Sequence, residues 1–266
     1  MTTTNSDLST FSIVGRCNRT GQLGVAVATA NIGAGRLVTW AKPKVGAVAT
    51  QARVNTYIAA DALTMMERGD SAPKAIETLL GSDPGRDRRQ VGAVDSNGLS
   101  GAWTGALCVP WCGHLTGQDF SAQGNMLVGP ETVKALATVF SSRSDEDLAE
   151  RLLSALEAAE KAGGDKRGRQ CSALYVVETN EYALWDLRVE DHPDPIGELR
   201  RIFEISKVEL LPYVQAMPTR SNPLDRLSED FSRMESLPPP LRPGRGGSAP
   251  GEVSETSAEP PAMSSQ

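Results

Sequence analysis

A glycine-flanked loop over residues 163–170 carries three cations and one carboxylate. Guanidinium groups match a carboxylate with two parallel hydrogen bonds, so we expect Arg167 and Arg169 to bind a carboxylate of a substrate. Asp165 would orient these cations or receive an amine. Arg89, at the start of a predicted strand, is a further candidate for the same role. A solvated loop that complements the negative end of the preceding helix would explain the same charges.

A short polar segment, Gln123-Gly124-Asn125, places a glycine between two side-chain amides. Glycine permits close approach of the backbone to a ligand, and an amide N–H can stabilise the oxyanion of a transition state. We therefore predict Asn125 as an oxyanion donor and Gln123 as a substrate-binding residue. A simple turn is the alternative interpretation of this segment.

Common catalytic and nucleotide-binding signatures are missing from the sequence: GxSxG, HExxH, GxxxxGK[ST] and GxGxxG after a strand. The chain has two histidines, His114 and His192, so a general base is one of these or a group of another type. Cys108 and Cys112 with His114 would need a fourth ligand from elsewhere to hold zinc. Structural zinc sites usually show paired ligand motifs, so we expect free cysteines that pack as small apolar groups, no metal and no other cofactor.

Composition and charge narrow the class of protein. The chain has 266 residues, 39% of them apolar, and a net charge of −6 without a basic run, which argues against a nucleic-acid partner. It contains neither an apolar stretch long enough to span a bilayer nor the N-terminal pattern of a secretory signal. We expect a cytoplasmic protein that acts on a small molecule and binds no nucleic acid and no membrane.

Hydrophobic periodicity and turn residues predict the elements that position these residues. The predicted strands, several of them paired in hairpins, lie at residues 11–15, 23–28, 45–50, 91–94, 101–107, 173–178 and 183–189. The predicted helices lie at about residues 71–81, 133–140, 144–163 and 195–211. Because hairpins alternate with pairs of helices, two packed antiparallel sheets covered by helices fit better than a doubly wound parallel sheet. The expected core residues are Val25, Val27, Val48, Leu79, Leu136 and Leu152.

The sequence predicts three parts of the chain, and a change of composition near residue 213 marks the start of the last one. Residues 1–9 are an N-terminal extension, residues 10–212 the working domain, and residues 213–266 a tail rich in Pro, Ser, Gly and Glu. We expect the tail to be disordered, because its low apolar content cannot offset the entropy of ordering it. The unpaired edge strands of two small sheets make a homodimer plausible.

Nine short segments follow one another in an order typical of one family. They are TFSIV (10–14), GVAVA (24–28), VGAVATQA (45–52), DPGR (83–86), RQVG (89–92), PWCGH (110–114), QGNML (123–127), GGDKRGRQ (163–170) and DHPDP (191–195). Over about residues 10–206 the chain resembles the DUF1028 family, which is assigned to the N-terminal nucleophile (Ntn) hydrolase superfamily.

The resemblance implies an α+β fold, a four-layered αββα sandwich of two antiparallel sheets, and hydrolysis of a C–N bond in a small amide, ureido compound or short peptide. It implies Thr10 as the nucleophile, with its own α-amine as the base once Thr10 is the N-terminal residue. An α-amine has an ordinary pKa of about 7.7 to 8.0, so a modest lowering makes it a base at neutral pH. Here Thr2 to Ser9 lie between Met1 and Thr10, which departs from the family pattern, so this activity requires cleavage after Ser9.

Two other functions remain open at this point. A hydrolase of the same fold would use Ser12 as its nucleophile, or a water molecule activated by His114. A non-catalytic protein would bind a small molecule on the same scaffold. Retention of residues 1–9 in the native protein would favour the non-catalytic alternative.

Overall fold

A six-stranded antiparallel sheet forms one half of the sandwich in the computed structural model, which describes residues 10–243 and residue 245. Its strands, in spatial order, are β10 (Trp185–Val189), β9 (Cys171–Val177), β2 (Leu23–Thr29), β1 (Thr10–Arg16), β8 (Phe120–Asn125) and β7 (Gly113–Gly117). The first strand of the chain is therefore an inner strand, hydrogen-bonded on both sides.

A four-stranded antiparallel sheet faces the first one. Its strands, in spatial order, are β3 (Thr39–Lys42), β4 (Gly46–Ala52), β5 (Arg89–Asp95) and β6 (Ser100–Thr104). The predicted hairpins correspond to β1 with β2 and to β5 with β6. The strands β3, β7 and β8 were not expected, because they are short or interrupted by glycine and polar residues.

Helices cover the outer faces of both sheets. The helices of the described residues are α1 (Ala34–Leu37), α2 (Thr56–Glu67), α3 (Ala72–Ser82), α4 (Glu131–Ser142), α5 (Leu148–Lys161), α6 (Pro195–Glu209), α7 (Leu211–Ala216) and α8 (Glu229–Glu235). The four-stranded sheet packs against α2 and α3, and the six-stranded sheet packs against α4 and α5. This arrangement confirms the predicted four-layered αββα sandwich.

Alternation along the strands divides the core into layers. Val14, Val25 and Val27 of the six-stranded sheet lie in one cluster with Ala47 and Ala49 of the four-stranded sheet, so this cluster fills the space between the sheets. Five of the six predicted core residues are fully buried: Val25, Val27, Val48, Leu136 and Leu152. The sixth, Leu79, is only partly buried.

Leu152 of α5 packs on the outer face of the six-stranded sheet, and we predict that Leu152→Ala lowers the free energy of unfolding by about 2 to 5 kcal/mol. Its methyl groups lie about 3 Å from where a Cβ would be at Gly15 and Gly24, so the two glycines leave the space that the leucine fills. Denaturant unfolding measures the effect, with Leu99→Ala, at a leucine that is 48% exposed, as the matched control. Equal effects of the two substitutions would contradict this packing.

The described residues divide into two compact units, the first ending at residue 204 and the second beginning at residue 205, and the boundary falls within α6. In the segment from residue 213 onward, where composition predicts disorder, the structure has the end of α7, all of α8 and a 3₁₀ turn at Pro239–Leu241. Ser228 begins α8 because its hydroxyl accepts a hydrogen bond from the Phe231 backbone N–H. The predicted extension, residues 1–9, and the end of the predicted tail, residues 246–266, lie outside the described residues.

Within the described residues, no helix combines the length and the apolar character needed to cross a membrane. The four cysteines are free thiols. The homodimer and the absence of a nucleic-acid partner stay predictions.

Candidate functional site

The ends of several strands meet at one end of the sandwich, and Thr10 lies among them. Thr10 begins β1 and is paired with Thr29, the last residue of β2, and with Asn125, the last residue of β8. In the opposite sheet, Gln51 near the end of β4 is paired with Gln90 near the start of β5. Side-chain hydrogen bonds join these two sets across the sandwich. The fold therefore brings residues that are far apart in sequence to one place.

Thr10 is fully buried, and polar groups surround it. Its hydroxyl donates to the hydroxyl of Thr29 over 3.4 Å. Its carbonyl oxygen accepts a hydrogen bond of 3.2 Å from the side-chain amide of Gln51 in the other sheet. The position of Thr10 is thus fixed by a strand neighbour and by a contact between the two sheets.

Gln90 is the centre of a buried amide network next to Thr10. Its Oε1 accepts hydrogen bonds from Gln51 Nε2 at 2.8 Å and from Asn125 Nδ2 at 3.0 Å. Its Nε2 donates to the carbonyl oxygens of Gly113 and Gly124 and to the hydroxyl of Thr104. These contacts hold the predicted oxyanion donor, Asn125, in a defined orientation beside Thr10.

The segment that contains Gln123 and Asn125 is the end of strand β8, so its interpretation as a simple turn is wrong. A Cβ at Gly124 would lie 2.4 Å from Leu127 Cδ1, so this glycine makes room for a leucine of the chain itself. Gln123, predicted to bind substrate, is fully buried and donates to Ser12 Oγ over 2.6 Å. Gly92 leaves the space that this glutamine occupies, because a Cβ there would lie 2.0 Å from Gln123 Oε1.

Ser12, the alternative nucleophile, lies between the two sheets. Its hydroxyl donates to Gln51 Oε1 at 2.7 Å and accepts from Gln123. Both of these partners are neutral amides, which cannot take a proton from the hydroxyl at neutral pH. The hydrogen bonds around Ser12 therefore suit a structural role better than a nucleophilic one.

His114, the alternative base, lies on the edge strand β7. It is paired with Gln123 of β8, whereas Thr10 is paired with Asn125 on the other side of β8. Two strand spacings, about 10 Å, therefore separate His114 from Thr10. The Nδ1 atom of His114 lies 2.8 Å from Thr104 Oγ1, and loss of hydration lowers the pKa of this imidazole below its ordinary value.

We expect His114 to titrate below about 6.5, the ordinary pKa of histidine. In the unfolded chain the group binds its proton at the ordinary pKa, so the unfolded state holds more protons as the pH falls through that value. The contribution of His114 therefore reduces stability below about pH 6.5 and leaves it unchanged above. An NMR titration measures the pKa, with His192→Gln to assign the two histidine signals. A value for His114 at or above the ordinary one would contradict this environment.

Asp165 lies at the same end of the sandwich as Thr10. Its side chain is 1% exposed and forms an ion pair of 3.0 Å with Arg167 of the same loop. It also accepts a hydrogen bond of 3.1 Å from the Ala30 backbone N–H, and residue 165 forms a β-bridge with Leu127. Asp165 thus orients Arg167, one of the two roles predicted for it.

A cleft of about 410 Å³ opens beside this loop and contains both predicted cations of the loop. Its lining residues are Ala30, Arg167, Arg169, Gln170, Asp191, His192 and Pro193. Arg169 is also paired with Glu160 and lies 3.7 Å from Asp194. A carboxylate that enters the cleft therefore meets arginines whose positions are already fixed by acidic neighbours.

Arg89, the third predicted cation, does not line this cleft. It forms an ion pair of 2.9 Å with Asp83, and its guanidinium donates to the carbonyl oxygen of Arg53 over 2.7 Å. These contacts fasten the loop before β5 to the loop after β4. The position of Arg89 beside the start of a strand is compatible with either a structural contact or ligand binding. The sequence alone therefore could not distinguish the two.

Among the described residues, no group of three or more His, Cys, Asp or Glu side chains is placed to hold a metal ion. Cys108 is buried, and its thiol contacts the carbonyl oxygen of Arg89. Burial raises the pKa of the Cys112 thiol, which disfavours the thiolate that a metal requires.

Backbone strain occurs next to two of the three strand ends that hold the amide network. Ala52 follows Gln51 with a φ of 63°, and Met126 follows Asn125 with a φ of 55°. Residues with a side chain rarely adopt this left-handed region, and such strain clusters at functional sites. The strain adds a second, independent reason to place the candidate site here.

Sequence reasoning missed Gln51 and Gln90 as members of the site. Both are fully buried, and each lies in a strand whose central residues are apolar. A glutamine inside such a strand is the signal that could have found them, because a buried amide must find hydrogen-bond partners.

Comparison with known proteins gives the family. No curated protein matches the chain. Among solved structures, the crystal structure of protein SPO2555 from Silicibacter pomeroyi, described as family-model DUF1028, is 30% identical with a TM-score of 0.76, and the match covers 83% of this chain and 96% of that chain. Anbu (ancestral beta-subunit) from Yersinia bercovieri is 10% identical over 78% of this chain and 98% of that chain, but its TM-score of 0.34 is too low for any inference. The model of DUF1028, a family of unknown function, matches residues 10–199, and the chain therefore belongs to the DUF1028 family.

Proposed function

We propose that the protein hydrolyses a C–N amide-type bond in a small compound that carries a carboxylate, with Thr10 as an N-terminal nucleophile. The observation that carries the proposal is the position of Thr10: it starts an inner strand, directly opposite Asn125, where the ends of both sheets meet. The resemblance to Ntn hydrolases supports the same residue. His114 lies two strands away from Thr10, on β7, and the proposal therefore uses the α-amine of Thr10 as the base.

The proposed reaction begins once residues 1–9 have been removed. The Thr10 hydroxyl oxygen bonds to the carbonyl carbon of the substrate, and its proton moves to the α-amine. The C–N bond then breaks, and the leaving nitrogen takes the proton from the α-ammonium group. A water molecule, deprotonated by the α-amine, attacks the resulting ester and releases the acid and free Thr10.

Asn125 is the proposed oxyanion donor, and we expect Asn125→Ala to lower kcat by about 10² to 10³, or about 2.7 to 4 kcal/mol of barrier. One N–H of its amide is bonded to Gln90, which orients the side chain beside Thr10. Steady-state kinetics measure the effect, with Asn97→Ala, in an exposed turn, as the control. Retention of both turnover and substrate affinity in Asn125→Ala would leave this residue a purely structural role.

The proposed substrate class follows from the cleft beside the 163–170 loop, where Arg167 and Arg169 face the space. A matched panel tests it: N-acyl amino acids, ureido acids and short peptides against the same compounds with the carboxylate converted to a neutral amide. We expect hydrolysis of the carboxylates and a rise in KM with Arg169→Met. Hydrolysis of the neutral compounds at the same rate as the carboxylates would show that the substrate does not need a carboxylate.

One observation favours a second candidate, a water molecule activated by His114. The imidazole is held by Thr104, and its lowered pKa favours the neutral form, which can accept a proton at pH 7. Under this mechanism His114→Gln abolishes turnover and Thr10→Val does not. The opposite result supports Thr10.

A further inference from the structure

The β-sheet register places Asp165 in front of the first residue of β1. On one side of Thr10, β2 continues from Thr29 to Ala30, whose N–H donates to Asp165 Oδ2. On the other side, β8 ends at the partner of Thr10, and two residues later Leu127 forms its β-bridge with Asp165. Strands β2 and β8 are two strand spacings apart, about 10 Å, with β1 between them. Residue 165 therefore contacts both strands that flank β1, in each case within two residues of the partner of Thr10.

The negative charge of the Asp165 carboxylate is offset by the guanidinium of Arg167. Three groups of Arg167, its backbone N–H, Nε and Nη2, donate to Asp165, and the side chain of Asp165 is almost completely shielded from solvent. Such a bidentate pair carries almost no net charge but keeps oxygen atoms able to accept further hydrogen bonds.

The remaining charged groups around the start of β1 have partners elsewhere. In the loop, Lys166 donates to the carbonyl oxygen of Pro110, and Arg169 is paired with Glu160. In the facing sheet, Arg89 is paired with Asp83. The Asp165–Arg167 pair, in contrast, is held beside the start of β1 by contacts to both flanking strands.

We propose that Asp165 is the positioning residue for the α-amine of Thr10: after residues 1–9 are removed, its carboxylate accepts a hydrogen bond from that amine and aims it at the Thr10 hydroxyl. The inference rests on the function proposed above. A lone carboxylate would stabilise the α-ammonium form and so weaken the base. Arg167 offsets this effect, so the pair orients the amine without raising its pKa.

The test measures the pKa of the α-amine itself and needs no substrate. The protein is prepared with Thr10 as its first residue, which keeps every residue that the structure describes. It reacts with a limiting amount of acetic anhydride at a series of pH values, and mass spectrometry of the N-terminal peptide gives the acetylated fraction. We expect Arg167→Met to raise the α-amine pKa by about one unit or more, because the carboxylate is no longer compensated.

Asp165→Asn should shift the α-amine pKa in the opposite direction, because Arg167 then faces the amine without its counter-charge. Arg201→Met, at an exposed arginine paired with Glu198, is the matched control and should leave the pKa unchanged. Circular dichroism and the unfolding midpoint check that each variant is folded, and if Asp165→Asn does not fold, Arg167→Met decides alone.

Unchanged α-amine pKa values in the folded variants, or a shift of both in the same direction, would overturn the inference. This failure is distinguishable from failure of the proposed function. If Thr10→Val keeps its turnover while the α-amine pKa shifts as expected, Asp165 holds the amine but the amine is not the catalytic base. If the pKa does not shift while Thr10→Val is inactive, the proposed nucleophile stands and only the role of Asp165 is wrong.

Discussion

Thr10→Ala should keep the fold and lose turnover by a factor on the order of 10⁴ or more, because loss of a nucleophile leaves only binding and oxyanion stabilisation. The substitution removes the hydroxyl but leaves the strand pairing of residue 10 with β2 and β8, which uses backbone groups. Single-turnover and steady-state kinetics on the best substrate of the carboxylate panel measure the loss. All variants are prepared with residue 10 as the first residue, so that differences in processing do not enter the comparison.

Two further variants separate the hydroxyl from the shape of the side chain. Thr10→Val keeps the β-branched shape and should be as inactive as Thr10→Ala, whereas Thr10→Ser keeps a hydroxyl and should retain measurable turnover. Full activity of Thr10→Val would show that the hydroxyl is not the nucleophile and would direct attention to His114.

A protein that retains residues 1–9 should be as inactive as Thr10→Ala, because an acylated nitrogen cannot accept a proton. Two proteins that are identical from Thr10 onward test this expectation: one begins at Thr10, and the other carries the nine preceding residues in full. Intact-mass spectrometry before and after the kinetic assay identifies the N-terminus of each. We expect activity to follow the fraction of molecules that begin with Thr10.

The same pair of proteins decides between catalysis and simple binding. If the natural protein keeps residues 1–9 and both forms bind the carboxylate compounds without hydrolysing them, the protein is a binding protein on this scaffold. If the form with the extension hydrolyses substrate at the full rate with its N-terminus intact, the N-terminal mechanism would be falsified.

Local patterns in the sequence were sufficient to predict much of the fold. The hairpin of β1 and β2 follows from apolar runs around an Asn- and Gly-containing turn, and α3 follows from Ser71 and a regular apolar stripe. The short strand β7 was missed because most of its residues are exposed or polar and follow neither period. Hydrophobic periodicity indicates which face of a strand or helix is buried. It therefore cannot identify a strand such as β7, in which neither face is buried.

Three of the predicted site residues, Thr10, Asn125 and Asp165, lie at one end of the sandwich, and their roles stay predictions. Gln51 and Gln90 were missed, and Arg89, predicted to act with the cations of the 163–170 loop, is paired with Asp83 instead. The distinction depends on partners that are distant in sequence: Asp83 and the loop after β4 engage Arg89, whereas Asp165 engages Arg167. Residue type and spacing show where an arginine lies in the sequence, but they do not show which carboxylate forms an ion pair with it.

By itself, the sequence determined many of the strands and helices, the layered arrangement and the family resemblance, because these depend on local periodicity, turn residues and ordered short motifs. Only the tertiary structure decided which polar side chains share the space beside Thr10. The register of β1 between β2 and β8 sets the strand neighbours of Thr10 and the place of Asp165, and the packing of the two sheets brings Gln51 to its carbonyl oxygen. These contacts arise from pairing between distant strands, and a one-residue change of register would turn each of these side chains to the opposite face.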